Sequence, residues 1–120
     1  MKLTAAIWLV AALSSATPVA AGSERLAYDG AWSLNFVTQR GACDPNYNFN
    51  VNIVDGIVSH PNLVRLRGKV TAGGLVHASV IVQDKSATGS GKLTRSSGRG
   101  TWTGRESNSR CSGYWTAQRF

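Results

Sequence analysis

Histidine, cysteine and acid are all scarce in this chain: two, two and six among 120 residues. That shortage removes most catalytic chemistry. Asp44, Asp55 and Asp84 fall in turn segments, where Asp is favoured for local hydrogen bonding, and Glu106 falls in a polar loop. No pair of carboxylates is placed for glycoside hydrolysis. The nucleophile-elbow pattern Gly-x-Ser-x-Gly is missing, and Gly89-Ser90-Gly91 reads instead as a thin, tightly packed strand segment. No His/Cys/Asp spacing suits a metal or haem, and no Cys-x-x-Cys occurs. His60 precedes Pro61 in a turn, and His77 sits between Val76 and Ala78; both read as exposed imidazoles. The expectation is no catalytic residue, no cofactor and no metal.

Long apolar runs are missing beyond the N-terminus. The one such stretch, residues 3–13, is interrupted by Thr4 and is shorter than the roughly 20 residues of a membrane span. With Lys2 before it and Val19-Ala20-Ala21 after it, residues 1–21 read as a secretory signal peptide cut before Gly22. The expected protein is therefore exported, periplasmic or extracellular, with no transmembrane span after cleavage. In such a compartment Cys43 and Cys111 are expected to form one disulfide, closing a loop of roughly 70 residues. Lys2 is the leader's only charge, so the exported chain stays basic, near +6.

Helical periodicity is missing from residues 22–120. An N-terminal arm over 22–30 leads into a single domain over 31–120, where the pattern has period 2 with turn residues every 8–12 positions. Trp32, Leu34 and Phe36 alternate with polar residues in a first strand near 31–39. Tyr47, Phe49, Val51 and Ile53 alternate with Asn46, Asn48, Asn50 and Asn52 in the second. Asp55-Gly56 signals a type I′ turn pairing Val54 with Ile57. Pro61 ends a short third strand. A fourth strand is expected near 63–70 and a fifth near 75–83. A three-residue loop, 72–74, between them sets Val70 against Val76, Gly68 against Ala78, Leu66 against Val80 and Lys69 against His77. Strands near 87–93, 99–105 and 111–119 follow, with a turn at 95–98 and a polar loop at 106–110.

All three tryptophans outside the leader occur as Gly-x-Trp: Gly30 with Trp32, Gly100 with Trp102, Gly113 with Trp115. Residues two apart share a sheet face, so each glycine leaves room beside a ring in a tight interior. Eight sequential antiparallel strands with short links predict an all-β, up-and-down barrel, with a β-sandwich as the alternative. In a closed barrel strands one and eight are neighbours, which brings Cys43 and Cys111 together.

The pattern Tyr28-Asp29-Gly30-x-Trp32, Gly41-x-Cys43-Asp44, Gly98-x-Gly100-x-Trp102 and Cys111-x-Gly113-x-Trp115 resembles small exported proteins of rhizobia and related alphaproteobacteria. Some of these carry a label for large exoproteins in haem utilization or adhesion; this chain is far shorter. More loosely, Gly30-x-Trp32 is similar to the first-strand motif of calycin-type barrels such as lipocalins. That resemblance implies a basic residue on the last strand packing over the Trp and closing the barrel base, a part that falls to Arg119.

Charge and faces then suggest partners. Arg65, Arg67 and Lys69 form a row on the polar face of the expected fourth strand, with His77 opposite, a cationic stripe for an anionic polysaccharide or envelope surface. Arg95, Arg99, Arg105 and Arg110 line the last hairpins and suit bidentate capture of carboxylate or phosphate. No aromatic platform for single-stranded nucleic acid is evident, so no specific nucleic acid is expected. The sequence thus predicts a non-enzymatic binding protein for an anionic polymer or a small ligand. The alternative is an inhibitor of a secreted hydrolase, of protease or lysozyme type, acting on a protein target through the arm 22–29 or the 43–46 loop.

Overall fold

In the computed structural model, which describes Thr4 and residues 27–63 and 65–120, the asparagine alternation behaves as a half-buried strand must. Asn46, Asn48, Asn50 and Asn52 are exposed, while Val51 and Ile53 are buried. The same alternation organises the rest of the chain into eight strands. They are β1 (Gly30–Arg40), β2 (Asn46–Val54), β3 (Ile57–Ser59), β4 (Arg67–Val70), β5 (Leu75–Val82), β6 (Lys85–Leu93), β7 (Ser97–Glu106) and β8 (Ser109–Arg119). Each pairs antiparallel with the next, and β8 pairs with β1, closing the barrel. The sandwich alternative is set aside. The expected leader, residues 22–26 of the arm, and Val64 lie outside the described residues, Thr4 apart.

Turn chemistry sets the registers. Asp55 and Gly56 both take positive φ, as a type I′ turn requires, and pair Val54 with Ile57 and Ile53 with Val58. The 72–74 loop pairs Val70 with Val76, Gly68 with Ala78 and Lys69 with His77 as expected, with Gly74 at positive φ. Three boundaries differ. β4 begins only at Arg67, so Leu66 does not pair with Val80 in the ladder. After Pro61 the chain makes consecutive turns, with Leu63 N–H on His60 O and Leu66 N–H on Leu63 O. Those bonds compete with the ladder and keep residues 61–63, 65 and 66 out of the sheet. The expected 106–110 loop is a two-residue turn, Ser107-Asn108, with Glu106 already paired to Ser109. β5 and β6 likewise meet through Gln83-Asp84, with Val82 opposite Lys85. The left-handed φ of Gln83 and Ser107 makes these links tight.

The core lies inside the barrel. Trp32, Trp102 and Trp115 are each 5% exposed or less, with Val51, Ile53, Val70, Leu93 and Ala117 around them. Each indole withdrawn from water contributes about 1.5–3 kcal/mol. The buried side chains are apolar, while most outward positions carry Asn, Ser, Thr or basic residues, with Val54, Ile57, Leu75, Ile81 and Tyr114 as exposed exceptions.

Gly100 on β7 lies opposite Trp115 on β8, and Gly113 on β8 lies opposite Trp102 on β7. Each indole crosses the other motif's glycine to reach the strand beyond. Trp115 Nε1–H donates to Ser90 O on β6 at 3.2 Å, and Trp102 Nε1–H donates to Val37 O on β1 at 3.1 Å. A Cβ at Gly100 would stand 2.0 Å from Ser90 O, and one at Gly113 would stand 1.8 Å from Val37 O. The two motifs are therefore one reciprocal unit, in which glycine admits both a neighbouring carbonyl and the ring that bonds to it. Gly91 completes the bed of Trp115, 2.6 Å from Cζ2 by the same measure.

Candidate functional site

The two ends of the barrel are built differently. At the end where β1 begins, the Arg119 guanidinium stacks over the Trp32 ring, 5.5 Å from its centroid. Its Nη1 donates to Ala27 O (2.8 Å) and Arg95 O (3.1 Å), and its Nη2 to Asp29 O. Trp32 Nε1–H donates to Tyr28 O at 2.8 Å. Asp29 in turn accepts the N–H groups of Asp55 (2.7 Å) and Gly56 (3.1 Å) with its carboxylate. The Tyr28 ring packs under Gly74, where a Cβ would stand 2.9 Å from its hydroxyl. Arm, hairpin, last strand and two loops are thus tied together, and this end is plugged. Arg119 takes the position over Trp32 that the sequence suggested.

Above the plug the interior is apolar and incompletely filled. A cavity of about 80 Å³ lies among Trp32, Leu34, Val51, Val76, Leu93 and Trp115. It shares Phe36, Phe49, Val80 and Ala87 with a second, open cavity of about 360 Å³ at the opposite end. Phe36 and Phe49 stack with centroids 5.4 Å apart, and Trp102 meets Phe36 edge-on at 6.3 Å. An eight-stranded barrel has an interior that side chains either fill or leave open to one small ligand. Here the layer of Phe36 and Phe49 stands between the two cavities and lines both.

The mouth has a polar lip on the inward face of the strands. Lys85 Nζ is 3.3 Å from Glu106 Oε1, and the Tyr47 hydroxyl donates to Glu106 Oε2 at 3.1 Å. Burial, then the bond to Glu106, pushes the Tyr47 phenol above its ordinary value of 10.0. The hydrogen bond and the charge of Glu106 hold Lys85 above its ordinary 10.5. At neutral pH the lip presents the Lys85 ammonium and the neutral Tyr47 phenol, both bonded to Glu106. His60 is half-buried here rather than exposed, which corrects the sequence reading: its ring meets Phe49 edge-on at 6.4 Å, and its Nδ1 accepts Asn62 N–H. The turns after Pro61 carry it over the mouth along with Leu63. The Cys43–Cys111 disulfide, Cα atoms 6.1 Å apart, ties the β1–β2 loop to β8 at this same end. Gly41 is required there, at φ 94°, because a Cβ would stand 2.1 Å from Arg110 O.

The expected cationic stripe is brought together only in part. Arg67 and Lys69 are exposed on β4, and Lys69 lies opposite the exposed His77. Arg65 is exposed in the turn before β4 and leaves the row. Sequence reasoning missed Lys85, Glu106, Tyr47 and His60 as one group. Tyr47 carries inward parity, but the lip forms only when β5–β6, β7–β8 and β2 meet around the barrel. Among the described residues no three His, Cys, Asp or Glu side chains gather as a metal site. Comparison with protein-family models, with curated proteins and with solved structures finds nothing that matches this chain.

Proposed function

We propose that this protein is an exported, non-enzymatic binding barrel that holds a small apolar molecule in its mouth. The ligand's apolar body enters between Phe36, Phe49 and Val80, and its polar end meets Lys85, Glu106 and Tyr47. One observation carries the reading: the barrel is plugged at one end and, at the other, opens onto an apolar interior of ligand size. The leader pattern and the disulfide support export. The inhibitor reading needs a protruding segment, the 22–29 arm or the 43–46 loop; residues 27–29 are bound into the plug, and the loop is held by the disulfide and by the Thr38 and Tyr47 hydroxyls on Asp44, which favours the mouth reading.

The test is a fluorescence titration of the oxidised protein with N-phenyl-1-naphthylamine, a neutral apolar probe. Ala87→Phe and Val80→Trp fill the space shared by the two cavities, and each should abolish a saturable signal while far-UV circular dichroism stays unchanged. A wild-type protein that gives no saturable signal refutes the proposal. So does a signal that survives both substitutions.

A further inference from the structure

The outer wall carries a second feature, an arginine cluster that meets the mouth only at Arg105, a residue on the rim of both. Arg105 on β7 lies directly opposite Arg110 on β8. Arg40 on β1 lies opposite Ser112, two residues along β8 from Arg110. All three are exposed and lie on the solvent side of the sheet. Opposed and diagonal neighbours at strand spacing bring three long side chains within reach of one group.

Like charges directly opposite destabilise a sheet. Nothing in the fold offsets this one: among the described residues none of the three arginines has a carboxylate partner. Glu106, next to Arg105 in sequence, faces inward to Lys85 and Tyr47. The other described acids, Asp29, Asp44, Asp55 and Asp84, lie in the arm or in turns, so the outward strand faces carry positive charge alone. Around the arginines is a shallow basin of about 580 Å³ lined also by the hydroxyl residues Thr88, Thr103 and Ser112. Tyr114, two residues beyond Ser112, is outward and 40% exposed.

We infer that Arg40, Arg105 and Arg110 form a docking surface for an anionic polysaccharide. The guanidinium forks take its carboxylate or sulfate groups, and the hydroxyls take its sugar hydroxyls. Guanidinium suits planar, bidentate capture of such anions. A single aromatic beside a row of hydroxyls fits a sugar chain better than the successive stacking platforms of single-stranded nucleic acid. Arg40 and Arg110 do not line the mouth, and Arg105 touches only its rim, so failure of this surface would leave the reading of Phe36, Phe49, Lys85, Glu106 and Tyr47 standing.

The experiment is affinity electrophoresis of the full, oxidised protein through gels containing polygalacturonate, dextran sulfate or neutral dextran, with a parallel titration of single-stranded DNA. Polygalacturonate retardation assigns carboxylate as the anion, retardation by dextran sulfate alone assigns sulfate, and both support the proposal. Arg105→Ala/Arg110→Ala should weaken binding about tenfold, as expected for two lost exposed charge-assisted contacts. Arg67→Ala/Lys69→Ala should stay near wild type. The arginine pair variant should also melt no lower than wild type, since it relieves repulsion; a purely structural role for the pair would lower the melting temperature. Absence of retardation in both charged gels, equal weakening by the two variants, or tighter binding to DNA would each overturn the proposal.

Discussion

Adding one methyl group at Gly100 or Gly113 tests the reciprocal Gly-x-Trp unit directly. Neither glycine is at left-handed φ, so alanine's backbone preferences are met and only space is denied. The new Cβ would stand 2.0 Å from Ser90 O and 2.5 Å from Trp115 Nε1 in Gly100→Ala, or 1.8 Å from Val37 O in Gly113→Ala. The obstructing atoms include a backbone carbonyl in a barrel ladder, which cannot swing aside as a flexible side chain would. Overpacking of this kind costs about 1–3 kcal/mol, and the upper end applies here. Pushing carbonyl and indole apart also forfeits a hydrogen bond worth about 1 kcal/mol. Reduced freedom of the unfolded chain returns about 0.4–1 kcal/mol. The net loss is about 3 kcal/mol in each variant, a large fraction of the stability of a domain this size. Urea unfolding followed by tryptophan fluorescence should show the midpoint falling by more than about 1 M at an unchanged slope. Gly73→Ala is the control: its Cβ would meet only Thr71 Oγ1, at 3.9 Å, and the midpoint should not fall. Midpoints for Gly100→Ala and Gly113→Ala that match this control would refute the reasoning.

Two further outcomes follow from the ends of the barrel. Arg119→Lys keeps the charge but loses the planar fork that spans Ala27 O, Asp29 O and Arg95 O, and it should cost about 2 kcal/mol. Calorimetry should show a melting temperature lower by about 8 °C or more; the same substitution at the exposed Arg99 should leave it unchanged. At the mouth, Lys85 and Tyr47 bind their protons more tightly when folded, so their contribution is complete below the ordinary values of 10.0 and 10.5 and is lost as pH rises through the folded values. Urea midpoints from neutral to strongly alkaline pH should decline less steeply in Tyr47→Phe/Lys85→Met than in wild type; identical slopes would count against the lip as a coupled group.

Much of the architecture is written in local pattern. The alternation of asparagine with apolar residues in β2 states which side chains go inward without reference to any other strand. Asp55-Gly56 and the 72–74 loop set hairpin registers because a turn fixes its flanking pairs by backbone geometry alone. The disulfide was legible for a different reason: a chain read as exported holds two cysteines, and they meet once strands one and eight are neighbours. Where a competing local interaction existed, the pattern misled: the turns after Pro61 take Leu63, Arg65 and Leu66 from the sheet, remove Arg65 from the expected stripe, and fold His60 over the mouth.

By itself, then, the sequence determined the strand count, the inward face of the strands and the registers set by the Asp55-Gly56 turn and the 72–74 loop, since these depend on side-chain period and turn conformation within a few residues. Only the tertiary structure decided which distant residues meet. Closure places Trp102 across β8 on Val37, and the β6–β7–β8 meander places Trp115 across β7 on Ser90, a reach that the tripeptide Gly-x-Trp does not encode. Closure also sets Arg40, with a register shift between Thr38 and Arg40 in the β1–β8 ladder, beside an arginine pair far along the chain. It gathers Tyr47, Lys85 and Glu106 into one lip as well. These contacts depend on how eight strands wrap around a common axis, a property of the whole sheet that no short segment contains.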